Sequence, residues 1–342
     1  MSVKESAAAF TGLVDLASEG LGGRVLSSND AFFAEADNLL KPGRGVFIEG
    51  KYTDQGKWMD GWESRRKRGP GHDHCVIALG ARGRVLGFDI DINHFLGNHP
   101  PFASVDGASA PTSARADELV FRPLLSPAPL LPGSQNLFAA LPGDAISHVR
   151  LNIYPDGGVA RFRVFGLVEP DLSTREVDAE SAAHVEPDWV DLAAVRSGGR
   201  ALACSDAFFG PMNNLLLPGR AQNMGGGWET RRRRGPGHDF IWIALARRGT
   251  PRLIEVDTNY FKGNYPDRCS LDALDREGVE VTELMFATPE LRALLPVTKL
   301  SAHNRHFVPV PVAAQQPATH LRLNIFPDGG VSRLRVWGSA HG

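Results

Sequence analysis

Thirteen residues at positions 61–73, GWESRRKRGPGHD, combine side chains suited to acid–base chemistry and to anion binding. A second copy, GWETRRRRGPGHD, occupies positions 227–239 and differs at two positions. Arginine presents a planar guanidinium that suits a carboxylate ligand. A histidine followed by an aspartate can move a proton while the carboxylate orients the ring. The alternative is a solvated basic loop whose tryptophan packs on the fold, but the close repetition favours a polar site.

A second set of polar side chains alternates with apolar ones along a predicted strand. Asp89, Asp91 and Asn93 fall on one face of that strand. Their counterparts in the second copy are Glu255, Asp257 and Asn259. Three oxygen-bearing side chains on one face could position water or bind a hard cation. A polar outer face paired with the nearby arginines fits the pattern equally well.

A transition-metal site is a weaker interpretation of the same residues. His72 and His74 could join the two aspartates as ligands, but Phe240 stands at the second histidine's place in the other copy. We therefore expect no required cofactor and no protein-held metal, with a divalent ion possible but not favoured.

The chain is a tandem duplication. Residues 88–98, FDIDINHFLGN, match residues 254–264, and residues 148–166, HVRLNIYPDGGVARFRVFG, match residues 320–338. Order and approximate spacing agree, so the repeat is a whole domain. We predict a first repeat at 1–166, an acidic linker at 167–188 and a second repeat at 189–342. The linker is rich in carboxylates and poor in apolar residues, which predicts a solvated segment.

The positioning elements are predicted to be short strands. Apolar runs at 76–79 and 241–244 have strand length, and Gly/Pro-rich turns separate the runs, which is typical of β-sandwiches. Strand, PDGG turn and strand around residues 155–158 predict a hairpin in both copies. Helix is expected only at 30–40 and 282–295.

Composition excludes several functional classes. The 342 residues carry a formal net charge of -2, which gives no electrostatic case for nucleic acid or an anionic membrane. The three cysteines are odd in number and lack a CxxC spacing, which argues against disulfides and predicts a cytoplasmic protein. No apolar run approaches the roughly 18 residues of a membrane-spanning helix.

Together the three repeated motifs resemble the allantoicase (allantoate amidinohydrolase) family. The resemblance extends from about residue 14 to residue 338, apart from the linker. It implies an all-β fold of two tandem jelly-roll sandwiches similar to galactose-binding domains. It also implies hydrolysis of allantoate to ureidoglycolate and urea in purine catabolism, by a homo-oligomer acting on a small molecule.

The implied substrate has one carboxylate and two ureido groups on a single carbon, which suggests roles for the repeated residues. We assign carboxylate binding to Arg65 or Arg66 and, in the second copy, to Arg231 or Arg232. The acid–base candidates are His72, Asp73, His238 and Asp239, with Glu63 and Glu229 as alternative bases. Candidates for binding ureido groups or positioning water are Asp91, Asn93, Asp257 and Asn259.

Two other functions compete with this one. Hydrolysis of ureidoglycolate would also release urea, and the sequence does not separate the two substrates. A jelly-roll module that only binds a ligand is the second alternative. A module for neutral sugars would rely on exposed aromatic side chains and would not need four cations in each copy.

Overall fold

The computed structural model describes residues 10–170, 176–286 and 290–341. It divides into two compact units, an N-terminal unit of residues 1–169 and a C-terminal unit of residues 170–342. Among the described residues, no helix has the length and apolar character needed to cross a membrane.

The regular secondary structure of the N-terminal unit consists almost entirely of strands. They are β1 Val14–Asp15, β2 Arg24–Ser28, β3 Tyr52–Thr53, β4 Gly56–Lys57, β5 Trp62–Glu63, β6 Asp73–Asp91, β7 Phe102–Ala108, β8 Arg122–Pro129, β9 Gln135–Ala139, β10 Ile146–Tyr154, β11 Gly158–Val159 and β12 Arg161–Val168. Short 3-10 turns occupy Glu19–Leu21, Ala36–Leu40 and Ala116–Glu118.

The C-terminal unit repeats the pattern and adds two short α-helices, α1 Ala179–Ala182 and α2 Val281–Phe286. Its strands are β13 Val190–Asp191, β14 Arg200–Cys204, β15 Trp228–Glu229, β16 Asp239–Asp257, β17 Arg268–Leu274, β18 Arg292–Lys299, β19 Arg305–Pro309, β20 Ala318–Phe326, β21 Gly330–Val331 and β22 Arg333–Ala340. Its 3-10 turns are Val195–Ser197, Met212–Leu216, Met224–Gly226 and Val312–Ala314.

A single long strand organises each unit. In the N-terminal unit the strand order is β1-β12-β6-β10-β7-β8, with β2 and β9 also paired to β6. The register of β6 against β10 shifts between residues 78 and 83. The first half of β6 pairs with β10 and β2, and the second half pairs with β12 and β9. The C-terminal unit has the same order around β16.

The PDGG turn does not close the predicted hairpin. It joins β10 to β12, but β6 lies between these two strands in the sheet order. The local sequence is the same for a hairpin and for two strands that flank a third, so the pattern could not separate them. Ile153 pairs with Asp73, and Arg161 pairs with Asp91. Both ends of β6 therefore lie beside this turn.

The core contains the apolar residues of the repeated motifs. Trp62, Phe95 and Phe162 are fully buried. A Cβ on Gly158 would overlap the Phe95 ring, so this position of the PDGG motif requires glycine. The counterparts Trp228 and Phe261 are equally buried.

The helices that form are shorter than the sequence predicted. Of the helix predicted at 30–40, only the 3-10 turn Ala36–Leu40 forms. The helix predicted at 282–295 is α2, which ends at residue 286, followed by β18 from residue 292. Residues 287–289 lie outside the described residues.

Part of the acidic linker packs on the C-terminal unit. Val185 is buried against Leu253 and Trp337. Asp178 and Glu180 both pair with Arg305, at 2.9 Å and 3.0 Å. Most of residues 176–188 are exposed, as expected of a solvated segment, but the buried side chains of Ser181 and Val185 and the ion pairs with Arg305 anchor this part on the C-terminal unit. Residues 171–175 of the linker lie outside the described residues.

Candidate active site

The repeated stretch is anchored by its tryptophan. Trp62 lies on β5, which pairs with β11 just after the PDGG turn. Its indole N–H donates to the backbone carbonyl of Asp30 at 2.7 Å. Trp228 makes the same bond to Asp206 at 2.9 Å. The tryptophan therefore has the packing role of the alternative interpretation, and it fixes the start of the stretch in both units.

The arginines after the tryptophan differ in their contacts. Nε of Arg65 donates to the carboxylate of Asp30 at 2.7 Å, and Arg231 pairs with Asp206 in the same way at 2.9 Å. Both guanidinium groups also stack near a phenylalanine ring, on Phe32 and Phe208. Part of each predicted carboxylate-binding fork is thus engaged within the protein.

The neighbouring arginines of the same motif, Arg66 and Arg232, are exposed. Carboxylate binding by any of the four arginines stays a prediction.

Asp73 and Asp239 are buried counter-ions. Oδ1 of Asp73 accepts from Nζ of Lys67 at 2.7 Å and from Asn29 at 3.1 Å. Oδ1 of Asp239 accepts from Arg233 at 2.5 Å and from Ser205 at 2.9 Å. These contacts hold the basic stretch against the start of β6 and β16. The acid–base role predicted for the two aspartates is untested, and their geometry suits an ion pair that positions the loop.

The PDGG aspartates also hold this stretch. Asp156 accepts the backbone N–H of Lys67 at 2.8 Å, and Asp328 accepts that of Arg233 at 2.8 Å. Each carboxylate thus links the turn to the basic stretch.

The two motif histidines directly precede β6 and β16, and their rings contact the strand that leads into the PDGG turn. Nε2 of His72 lies 3.3 Å from Oδ1 of Asn152, and the ring lies 4.6 Å from that of Tyr154. In the C-terminal unit His238 contacts Asn324 at 3.2 Å and stacks near Phe326. The aspartate that follows each histidine in sequence pairs with a cation instead. The structure therefore does not form the predicted His–Asp couple.

The acidic strand ends hold the loop that follows Arg44. Asp91 is buried and pairs with Arg44 through two hydrogen bonds of 2.8 and 2.9 Å. Asn93 donates to the carbonyl of Gly45 at 2.8 Å. Asp257 and Asn259 repeat these contacts with Arg220 and Ala221. These four residues thus position a loop, and their predicted role in binding ureido groups stays untested.

The loop held in this way covers a pocket in the N-terminal unit. The pocket has a volume of about 350 Å³ and is lined by Phe33, Lys57, Met59, Glu63, His94, Leu96, Gly97 and Asn98. Loop residues 45–59 supply Lys57 and Met59, whereas Glu63 belongs to the repeated stretch. Of the predicted site residues, only Glu63 lines this pocket.

The carboxyl of Glu63 is the titratable acid in this wall. Nδ2 of Asn98 donates to its Oε1 at 2.6 Å. Burial raises the pKa of Glu63 above its usual value, and the hydrogen bond from Asn98 limits that rise. The protonated form of this group is therefore more populated near neutrality than that of an exposed glutamate.

Sequence reasoning missed Lys57 and Asn98. Asn98 was present in the repeated motif at 88–98, and its counterpart Asn264 contacts Glu229 in the same way. The shared asparagine was a usable signal. Lys57 had none, since it belongs to a loop without a second copy. The neighbouring His94 has φ 68°, an uncommon backbone conformation outside glycine that is often found at functional sites.

The corresponding place in the C-terminal unit has different side chains. Glu229 keeps the asparagine contact, at 2.5 Å, and burial also raises its pKa. Tyr260 replaces His94, with φ 67°. The loop between Arg220 and Gly226 has five residues against fifteen between Arg44 and Asp60. It therefore contains no counterpart of Lys57.

No three His, Cys, Asp or Glu side chains gather into a metal-binding group within the part of the chain that the structure describes. The His72, His74, Asp89 and Asp91 set that the sequence suggested is among the residues covered by this finding.

Comparison with known proteins gives the family. A family model described as the allantoicase repeat matches residues 14–169 and again residues 190–341. This chain belongs to the allantoicase family. It is 47% identical over 337 residues to a probable allantoicase of Stutzerimonas stutzeri, covering 98% of this chain and 99% of that protein. A probable allantoicase of Photobacterium profundum is 46% identical over 334 residues, with 98% of each chain covered.

A solved allantoicase has the same fold. The crystal structure of allantoicase from Saccharomyces cerevisiae is 32% identical, with a TM-score of 0.79, covering 99% of this chain and 98% of that one. The resemblance and the all-β class of two tandem sandwiches predicted from the motifs are confirmed.

Proposed function

We propose that this chain is an allantoicase that hydrolyses allantoate to ureidoglycolate and urea, and that it does so at the pocket around Glu63 in the N-terminal unit. One observation supports this location most strongly. The pocket pairs a partly buried carboxyl whose pKa is raised with the ammonium group of Lys57. A small ureido acid needs both a cation for its carboxylate and a proton donor for its leaving nitrogen.

In this proposal the substrate carboxylate is bound by a positively charged side chain of the pocket. Lys57 is exposed, and its Nζ lies 4.4 Å from the centre of the Phe47 ring, a cation–π contact that restrains the flexible side chain. The ammonium group pairs with the substrate carboxylate. The amide of Asn98 and the backbone around Gly97 face the ureido groups. The pocket volume of about 350 Å³ accommodates a molecule of this size.

The bond that breaks joins the central carbon of allantoate to one ureido nitrogen. Glu63 in its protonated form donates its proton to that nitrogen, which leaves with the bonding electron pair as urea. The lone pair of the remaining ureido nitrogen stabilises the carbon as an acyl iminium. The Glu63 carboxylate then accepts a proton from water while the water oxygen bonds to the carbon, giving ureidoglycolate and restoring the acid.

The partners and cofactors follow from the same proposal. The chemistry needs no metal, so turnover is expected to survive dialysis against a chelator. The proposal includes a cytoplasmic homo-oligomer that binds neither nucleic acid nor membrane, in keeping with the charge of -2 and the three free cysteines.

The function is tested by incubating the purified protein with allantoate and measuring urea and ureidoglycolate. The proposal expects one urea for each allantoate consumed. A protein that releases urea from ureidoglycolate but not from allantoate is the competing enzyme, and a protein that turns over neither is a binding module.

A further inference from the structure

The C-terminal unit contains a cavity that the proposed reaction does not use. It has a volume of about 480 Å³, and residues along its wall include Arg220, Glu255, Asp257, Arg333, Arg335 and Trp337. Leu192 and Val195 add apolar surface. Glu229 is not among the lining residues, so the cavity is distinct from the place that corresponds to the Glu63 pocket.

Most guanidinium groups in this wall have a carboxylate partner. Arg220 pairs with Asp257 through bonds of 3.0 and 3.2 Å. Arg305 pairs with Glu255 at 2.5 Å. The carboxylates of the cavity are therefore engaged by cations other than Arg333.

Arg333 is buried, with 4% of its surface exposed, and bonds only to backbone carbonyls among the described residues. The acceptors are the carbonyls of Gly219, Gly226 and Ser332. Its Nη2 donates to no described residue. Carbonyl dipoles satisfy donors, but they leave the positive charge without a counter-ion.

The N-terminal unit shows what the missing partner is. Arg161 corresponds to Arg333 and bonds the carbonyl of Asp60 as Arg333 bonds that of Gly226. Nη2 of Arg161 also donates to the carboxylate of Asp60 at 2.7 Å. Glycine at position 226 deletes that carboxylate, whereas the arginine is retained.

Burial and the nearby Arg335 lower the pKa of Arg333 to about 9, so the group is still a cation at neutral pH. Asp257 opposes this shift from a distance, but its oxygens are taken by Arg220. A desolvated cation that faces an open cavity favours an anionic ligand.

We propose that this cavity binds a small organic monocarboxylate, which supplies Arg333 with the counter-ion that Asp60 supplies to Arg161 in the N-terminal unit. Six arginines and five carboxylates line the cavity, so the lining carries one net positive charge, which matches one carboxylate. Glu255 and Asp257 in the wall disfavour a dianion such as phosphate. The apolar wall formed by Trp337, Leu192 and Val195 suits the carbon part of an organic acid.

The test places an aspartate side chain at position 226, where the N-terminal unit has Asp60. A Cβ on Gly226 would lie 3.1 Å from Cβ of Ala221, so Gly226→Asp needs the glycine that the N-terminal unit has at position 45. The variant is therefore Ala221→Gly with Gly226→Asp, and Ala221→Gly alone is the matched control. All proteins carry Lys57→Met, so that the pocket around Glu63 does not contribute a second carboxylate site.

Binding of acetate, glycolate and ureidoglycolate is measured by calorimetry, with inorganic phosphate for comparison. The proposal expects saturable binding of at least one carboxylate to the control, weakened at least about tenfold in the double variant. Melting temperatures verify that both proteins are folded. Equal affinity in the two proteins, no saturable heat with any carboxylate, or phosphate binding as tightly as the carboxylates would overturn the proposal.

Discussion

The two units have the same strand framework, but they differ in the residues that line their pockets. In both, a buried tryptophan bonds the same upstream carbonyl, and the glutamate after it contacts an asparagine. Beyond this shared frame, the N-terminal unit has Lys57 over its pocket, and the C-terminal unit has a buried arginine without its carboxylate. The near-identical motifs thus form the same scaffold in both units. The two sites differ because the long loop between Arg44 and Asp60 is present only in the N-terminal unit.

The largest expected effect comes from exchanging that loop. Replacing residues 45–59 by residues 221–225 gives the N-terminal unit the short loop with which the C-terminal unit folds. We expect urea release from allantoate to fall at least about a hundredfold, since Lys57 is lost and the pocket opens to water. Circular dichroism is expected to show an intact fold. Turnover near that of the original protein would mean that the longer loop has no part in the reaction.

Removing only the cation is expected to have a smaller effect. Lys57→Met should raise KM for allantoate by about tenfold and change kcat less, because the ammonium group binds a carboxylate that does not react. Lys51→Met is the matched control, as Lys51 stacks on Trp58 in the same loop and does not line the pocket. Since Lys57 is exposed, added salt should reduce the difference between the two variants. Steady-state kinetics that show a pure kcat loss would contradict a binding role.

The smallest expected effect is a shift in the pH dependence of kcat/KM, which distinguishes Glu63 from Glu229. Glu63 must be protonated to act as the acid, so kcat/KM is expected to fall as pH rises through its raised pKa. The hydrogen bond from Asn98 stabilises the ionised form. Asn98→Leu removes that bond and should raise the pKa further, which moves the falling limb to higher pH. Asn264→Leu makes the same change beside Glu229 and should leave the profile unchanged.

The sequence predicted the framework well because its determinants are local. The duplicated motifs and alternating strands predicted two tandem β-sandwiches, whereas the packing of Trp62 belonged to the alternative interpretation that the repetition disfavoured. The hairpin at residues 155–158 was wrong, because the placement of β6 between β10 and β12 depends on long-range pairing.

Prediction of the site was limited in the same way, because its contacts join residues that are far apart in the sequence. Adjacency in the motif grouped His72 with Asp73, but Asp73 begins β6 while His72 precedes it, and the two side chains contact different partners. Glu63 was foreseen only as an alternative base. Its pocket is completed by a loop present in one copy, so a search for repeated residues could not find Lys57.

The central claim is that Glu63 supplies the proton for urea release and that its duplicate does not. The most direct measurement is kcat for allantoate in Glu63→Gln beside Glu229→Gln, with His72→Asn as a third protein. We predict a loss of about 10²–10⁴-fold for Glu63→Gln, the range of a lost general acid, and near-original rates for the other two. A Glu63→Gln protein that keeps its rate while Glu229→Gln or His72→Asn loses it would contradict the account.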